Sequence, residues 1–134
     1  MNGVFVDSSV VLDIFTDDPL FYSRSLECLA AWGAKGDLLI NDLVYAEVSV
    51  GFLRIEELER ALLGAQFLRV PMPSEALFLA GKAFINYRLR GGAKTAPLPD
   101  FFIGAHAAVV GLPLITRDPT RVRDAFPSLK IIIP

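Results

Sequence analysis

Four acidic residues carry the chemistry that this 134-residue sequence offers. Asp7 closes the apolar run Gly3-Val4-Phe5-Val6, and Glu47 stands within Tyr45-Ala46-Glu47-Val48. Asp100 follows Pro99, and Asp118 closes Thr116-Arg117-Asp118. Three of them have a plain structural explanation. Asp7-Ser8-Ser9, Pro99-Asp100 and Asp118-Pro119 read as helix starts, with aspartate as N-cap and Pro119 at the first helical position. Glu47 does not, because it shares helical phase with Leu43, Ala46 and Val50, and a buried glutamate is rare unless paired or metal-bound. Two carboxylates about 4 Å apart repel by roughly 4 kcal/mol at an effective dielectric of about 20. A cluster of four therefore calls for cations. Hard Mg²⁺ or Mn²⁺, one ion or two, suits an all-carboxylate shell. One histidine and one cysteine make zinc a poor fit. A carboxylate cage around Mg²⁺ typically acts on phosphates.

The elements that must bring these residues together are legible as short apolar runs alternating with helical patterns. Strands are expected at Gly3–Asp7, Asp37–Ile40, Leu68–Val70, Pro113–Thr116 and Leu129–Ile133. Between them, Tyr22, Leu26, Leu29, Ala30 and Gly33 recur at helical spacing, as do Leu43, Ala46, Glu47 and Val50, and later Ile103, Ala107 and Val110. Such alternation implies βαβ units, hence an α/β fold: a three-layer α/β/α sandwich around a five-stranded, mostly parallel sheet. All four acids then fall toward the carboxyl edge of the sheet, where open α/β folds bind ligands. A helix from about Glu75 to Arg90 is expected to end at the opposite edge, taking Arg88 and Arg90 away from the acids. Gly91 to Pro99 is long enough, when extended, to return the chain to a helix opening near Pro99, with Lys94 within reach of the site.

Composition narrows the classes further. The length suits a single domain over residues 1–134, with no linker, repeat or low-complexity tract. Mean hydropathy of +0.47 raises the question of a membrane span, but the longest uncharged stretch, Phe101 to Thr116, contains His106 and Pro113 and falls short of the about 20 residues required. No membrane association is expected. The lone Cys28 precludes an internal disulfide and fits a reducing cytoplasm. The start Met1-Asn2-Gly3 has no basic flank and does not resemble a signal peptide. A formal charge of −2 argues against a broad basic face for nucleic acid. That charge already counts the four acids, however, and two bound Mg²⁺ would change it to +2.

Taken together, Val6-Asp7-Ser8-Ser9, Tyr45-Ala46-Glu47-Val48, Pro99-Asp100-Phe101-Phe102-Ile103-Gly104-Ala105-His106-Ala107 and Thr116-Arg117-Asp118 resemble the PIN-domain ribonucleases, and among them the VapC toxins of toxin–antitoxin pairs. The resemblance runs through the chain in order. It implies a five-stranded parallel sheet, a Mg²⁺- or Mn²⁺-dependent endoribonuclease, a homodimer and a small antitoxin that blocks the site. By motif position Asp7, Glu47, Asp100 and Asp118 form the acidic, metal-binding quartet. Thr116 and Ser8 or Ser9 are polar support, and cleavage leaves a 5′-phosphate and a 3′-hydroxyl. Arg117 is adjacent to the site and is expected to contact RNA phosphate, with Arg121 and Arg123 further out. His106, inside an Ala-rich helix, reads as structural. Phe15, Phe21, Tyr22, Trp32 and Phe52-Leu53 lie in the early helices, where such toxins dock antitoxin and second subunit, although most suit an ordinary core.

Four other readings share parts of this pattern. A receiver-type phosphoacceptor domain expects paired acids after the first strand and a lysine after the last, and a DxD phosphatase is contradicted by Ser9. An interaction module whose acids merely cap helices, or a PIN nuclease processing RNA outside any toxin pair, also fits. Glu47 separates the module from the nuclease: exposed and distant from Asp7, it would favour the module.

Overall fold

The computed structural model describes residues 2–93 and 98–134. Among these residues, five strands form one wholly parallel sheet: β1 (Gly3–Val6), β2 (Asp37–Ile40), β3 (Phe67–Arg69), β4 (Leu114–Ile115) and β5 (Ile131–Ile132), in the spatial order β3-β2-β1-β4-β5. Each strand falls on or beside the segment expected of it: β1 ends one residue sooner, β3 lies one residue earlier, and β4 and β5 are shorter. β1 is the central strand. Val4, Phe5 and Val6 are all buried, as a parallel strand covered by helices on both faces requires.

Among the described residues, seven helices connect the strands: α1 (Ser8–Phe15), α2 (Tyr22–Gly33), α3 (Asp42–Ser49), α4 (Ile55–Gly64), α5 (Ser74–Leu89), α6 (Pro99–Val110) and α7 (Thr120–Ala125). The strand order reverses at β1, since the chain moves outward to β2 and β3 on one side and to β4 and β5 on the other. A crevice opens at such a reversal, beyond the carboxyl ends of the two inner strands. Asp7 directly follows β1 and Thr116 directly follows β4, and the Asp7 amide donates to the Ile115 carbonyl at 2.9 Å. The sheet ladder itself thus sets these two segments side by side. No helix among the described residues is long and apolar enough to cross a membrane.

Two local expectations need correction. α3 buries Val44 and Val48, while Val50 and Ala46 are exposed. The apolar stripe is therefore one step around the helix from the expected one, because the Asn41 cap, accepting the Val44 amide at 3.0 Å, sets the phase of so short a helix. Likewise, the end of α5 does not lie at the far edge of the sheet. Its last turn meets the first turn of α6, with the Tyr87 and Phe101 ring centroids 5.6 Å apart. The cause is the small-residue stripe Ala76, Ala80 and Ala83, buried at i, i+4 and i+7, on a helix whose main neighbour is α6. Arg90 consequently lines a small hollow together with Phe101 and Arg121. Lys94 lies outside the described residues.

α6 and α7 approach closely through Gly104. A Cβ there would stand 2.7 Å from Phe126 and 3.1 Å from Val122. Gly111 ends α6 with φ +80°, the left-handed cap that glycine favours. Replacing Gly104 by Leu should overpack the α6–α7 contact by about 1–3 kcal/mol and lower the melting temperature by about 4–12 °C, a shift that thermal denaturation will read.

Candidate active site

Asp7 is the N-cap of α1, and every oxygen of its nearly buried carboxylate is held. The Ser8 amide donates to Oδ1 at 2.9 Å, and the Thr116 and Ser9 hydroxyls donate to Oδ2 at 2.8 and 3.2 Å. Ser8 also turns the other way, its hydroxyl donating to Glu47 Oε1 at 3.0 Å. One serine therefore links Asp7 to Glu47, which lies 39 positions beyond that serine in the sequence. Glu47 is half-buried rather than buried, reaching the site from the side of α3 next to its core face. The arrangement of an exposed, distant Glu47 that would have favoured a capping module is absent.

Capping also fails to explain two of the other acids. Leu98 is the N-cap of α6, which places Asp100 inside the first turn, and Pro119 is the N-cap of α7, one residue beyond Asp118. Asp100 Oδ1 is buried and has no hydrogen-bond partner, a costly state for a carboxylate oxygen. Its Oδ2 lies 3.9 Å from Arg121 Nη1. Asp118 is exposed, and its amide donates to Thr116 Oγ1 at 3.1 Å. Thr116 is thus a relay, donating to Asp7 while accepting from the backbone at Asp118.

Asp7, Glu47, Asp100 and Asp118 line one hollow of about 530 Å³, together with Ser8, Ser9, Arg117 and Arg121. Of the nine polar positions assigned to the site from the sequence, eight stand on that wall, and the ninth, Thr116, lies buried directly behind it. Crowding shows in the acidities. Burial raises the Asp7 pKa above the ordinary aspartate range, against the pull of its three hydrogen bonds, and the charge of Asp118 adds to the rise. Burial likewise raises Glu47, opposed by Ser8 and reinforced by Asp7 and Asp100. Asp100 is raised by burial and by Asp7, with Arg121 pulling it down.

The donor set fits a hard divalent cation: all oxygen, strongly anionic, with one buried carboxylate oxygen left unpartnered. Among the described residues, no three acidic, histidine or cysteine side chains converge tightly enough to form a closed cage, so the acids line the hollow instead of clasping its centre.

The arginines divide differently from expectation. Arg117 stands on the wall of the hollow, yet its Nε and Nη2 donate to Asp13 at 2.8 and 2.9 Å, and its guanidinium lies 4.0 Å from the Phe21 ring centroid. Arg121, placed further out by sequence, borders the hollow beside Asp100. Arg90 joins it through the adjoining hollow. Asp13 and Asn41 were not anticipated. Asp13 carries the same signal as Glu47, an acid inside the apolar run Val10-Val11-Leu12-Asp13-Ile14-Phe15, and is 1% exposed. Asn41 caps α3 and approaches His106 Nδ1 at 3.5 Å. His106 is buried beneath Phe5, ring centroids 4.5 Å apart, and its pKa is lowered by that burial. Of the early apolar residues, Phe15 packs edge-on against Phe52 and Phe67, whereas Leu53 is 97% exposed.

Fold and site together define a class: a parallel α/β sheet with an acidic crevice at its strand-order reversal. The chain belongs to the PIN domain family, whose profile matches residues 4–124. Its fold is similar to VapBC2 from Rickettsia felis, solved with a promoter DNA fragment (18% identity, TM-score 0.71, 98% of both chains covered). It is also similar to a toxin–antitoxin complex from Klebsiella pneumoniae (21% identity, TM-score 0.67, covering 97% of this chain and 96% of that one). VapBC-1 from nontypeable Haemophilus influenzae is comparable (17% identity, TM-score 0.71, 97% and 96% covered). A search of curated protein sequences gives no match. The PIN fold is a nuclease fold, so family and fold support a hydrolase acting on nucleic acids.

The raised acidities have a measurable sign. In metal-free protein the folded state holds protons on Asp7, Glu47 and Asp100 at pH values where the unfolded chain has lost them. Their contribution to stability is therefore full below the ordinary carboxylate range and is lost as pH rises through the raised values. Thermal melts in EDTA should show this contribution growing on acidification from neutral pH, with Mg²⁺ or Mn²⁺ flattening the trend. Asp100→Asn should raise the melting temperature in EDTA at neutral pH and abolish most of the stabilisation by added cation.

Proposed function

We propose that this protein is a Mg²⁺- or Mn²⁺-dependent endoribonuclease acting in the cytoplasm as the toxin of a toxin–antitoxin pair. The observation that carries the reading is the meeting of Asp7, Glu47, Asp100 and Asp118 in one hollow at the strand-order reversal, with Asp100 Oδ1 buried and unpartnered. Membership of the PIN family and likeness in fold to toxin–antitoxin complexes support it.

The four carboxylates would hold the cation, one ion or two. When bound it supplies Lewis-acid stabilisation of phosphoryl charge and a more acidic water. The chain's own part is positioning and charge. Ser8, Ser9 and Thr116 fix the rotamer of Asp7, and Ser8 fixes Glu47 against it. A carboxylate oxygen of the quartet left free by the cation is placed to take the proton of the attacking water. Water oxygen bonds to phosphorus, the P–O3′ bond breaks, and the products are a 5′-phosphate and a 3′-hydroxyl. Arg121 on the wall of the hollow, and Arg90 in the adjoining hollow that Arg121 also lines, supply cationic contacts to the flanking phosphates. An antitoxin and a second copy of the chain are the partners. Their support is the exposed apolar surface, notably Val50 and Leu53 before α4 with Ile55 at its start, and Phe78, Ile85 and Leu89 along α5.

Cleavage of a mixed RNA pool with Mg²⁺, Mn²⁺ or EDTA tests the reading. Metal-dependent cutting is expected, with Asp7→Asn and Asp100→Asn, both folded by circular dichroism, slower by about 100-fold or more. Absence of cutting by antitoxin-free protein under both metals would refute it.

A further inference from the structure

Asp13 is an aspartate buried in α1, 1% exposed, with no place in the acidic hollow. Its Oδ2 accepts from Ser25 Oγ of α2 at 2.7 Å and from Arg117 Nε at 2.8 Å, and its Oδ1 accepts from Arg117 Nη2 at 2.9 Å. This is the bidentate fork that only arginine can make. The Phe21 ring, 4.0 Å from the guanidinium, leaves it little freedom to swing toward solvent. Arg117 sits between Thr116, which donates to Asp7, and Asp118, whose amide donates back to Thr116. The loop after β4 is thereby pinned to α1 and α2 at the residue between its two functional side chains.

We propose that Arg117 is a positioning residue, not an RNA contact: clamped by Asp13, it holds the Thr116–Asp118 loop in register with Asp7, so that the acidic hollow keeps the spacing a divalent cation needs. This rests on the metal-dependent reading of the site above. A buried ion pair is seldom worth more to stability than well-packed apolar residues of the same volume. Three elements meeting on one such pair beside the acids is explained by geometry that the pair imposes on the loop.

The test separates positioning from stability. Arg117→Lys keeps charge and stem but loses the fork; Asp13→Leu/Ser25→Ala/Arg117→Met replaces the polar network with apolar groups of similar volume. Both should fold, the triple variant melting at or above wild type. Amide exchange in metal-free protein should show the Asp118 amide losing protection in both. Calorimetric titration with Mn²⁺ should show affinity reduced about ten-fold or more. RNA cleavage should lose kcat, with KM within about two-fold of wild type.

Wild-type Mn²⁺ affinity in the folded triple variant would overturn the proposal. So would a rise in KM with unchanged kcat and a salt dependence of RNA binding shallower by about one ion, the mark of a lost phosphate contact. If wild-type protein binds Mn²⁺ but cuts no RNA, the nuclease reading fails by itself; weakened Mn²⁺ binding in the variants would still uphold the clamp.

Discussion

Repulsion among carboxylates crowded beside a buried strand end is the constraint around which this structure is arranged. Asp7 cannot move away from it, because β1 is the central strand and its end is tied to β4 by the ladder bond between the Asp7 amide and Ile115. Burial makes the charge costly, and the surroundings answer with donors: one amide and two hydroxyls on Asp7, one hydroxyl on Glu47, a guanidinium near Asp100. These offset only part of the cost, as the raised acidities of all three show. A site left anionic and under-neutralised inside a fold is one that a hard cation can complete.

The scaffold divides its work so that rigid parts carry the acids. α1 does three jobs within seven residues: its cap is Asp7, its first turn supplies Ser8 and Ser9, and Asp13 near its end anchors Arg117. Gly104 lets α7 lie close on α6, which sets Arg121 beside Asp100. Small residues and short polar side chains near the hollow thus serve placement, while the large apolar ones, Phe5, Phe101 and Ile103 among them, fill the core beneath it.

Much of this was legible in the residues themselves. The strands follow from short β-rich runs between turn residues, and helix alternation implied a parallel sheet, so the edge at which Asp7 and Asp118 emerge could be deduced before any coordinates. The acidity of Glu47 in a helical apolar context pointed to the site, although the phase of α3 was read one step off. A short helix offers too few turns for periodicity to outvote its cap. Asp13 carries the same signal, but an acid in an apolar run does not reveal what pairs with it.

The sequence by itself determined the set of acids, their order, and the parallel α/β frame, since those depend on residue type and on patterns spanning a few positions. Only the tertiary structure decided that α5 ends beside α6, bringing Arg90 to Arg121, and that Arg117 faces Asp13 instead of the open hollow. The physical reason is range. A strand or a cap is chosen by neighbours along the chain, whereas the Arg117–Asp13 pair joins residues 104 positions apart. Which donor meets which acceptor across that separation is settled by how helices pack, at a resolution of a few ångströms that no local pattern encodes.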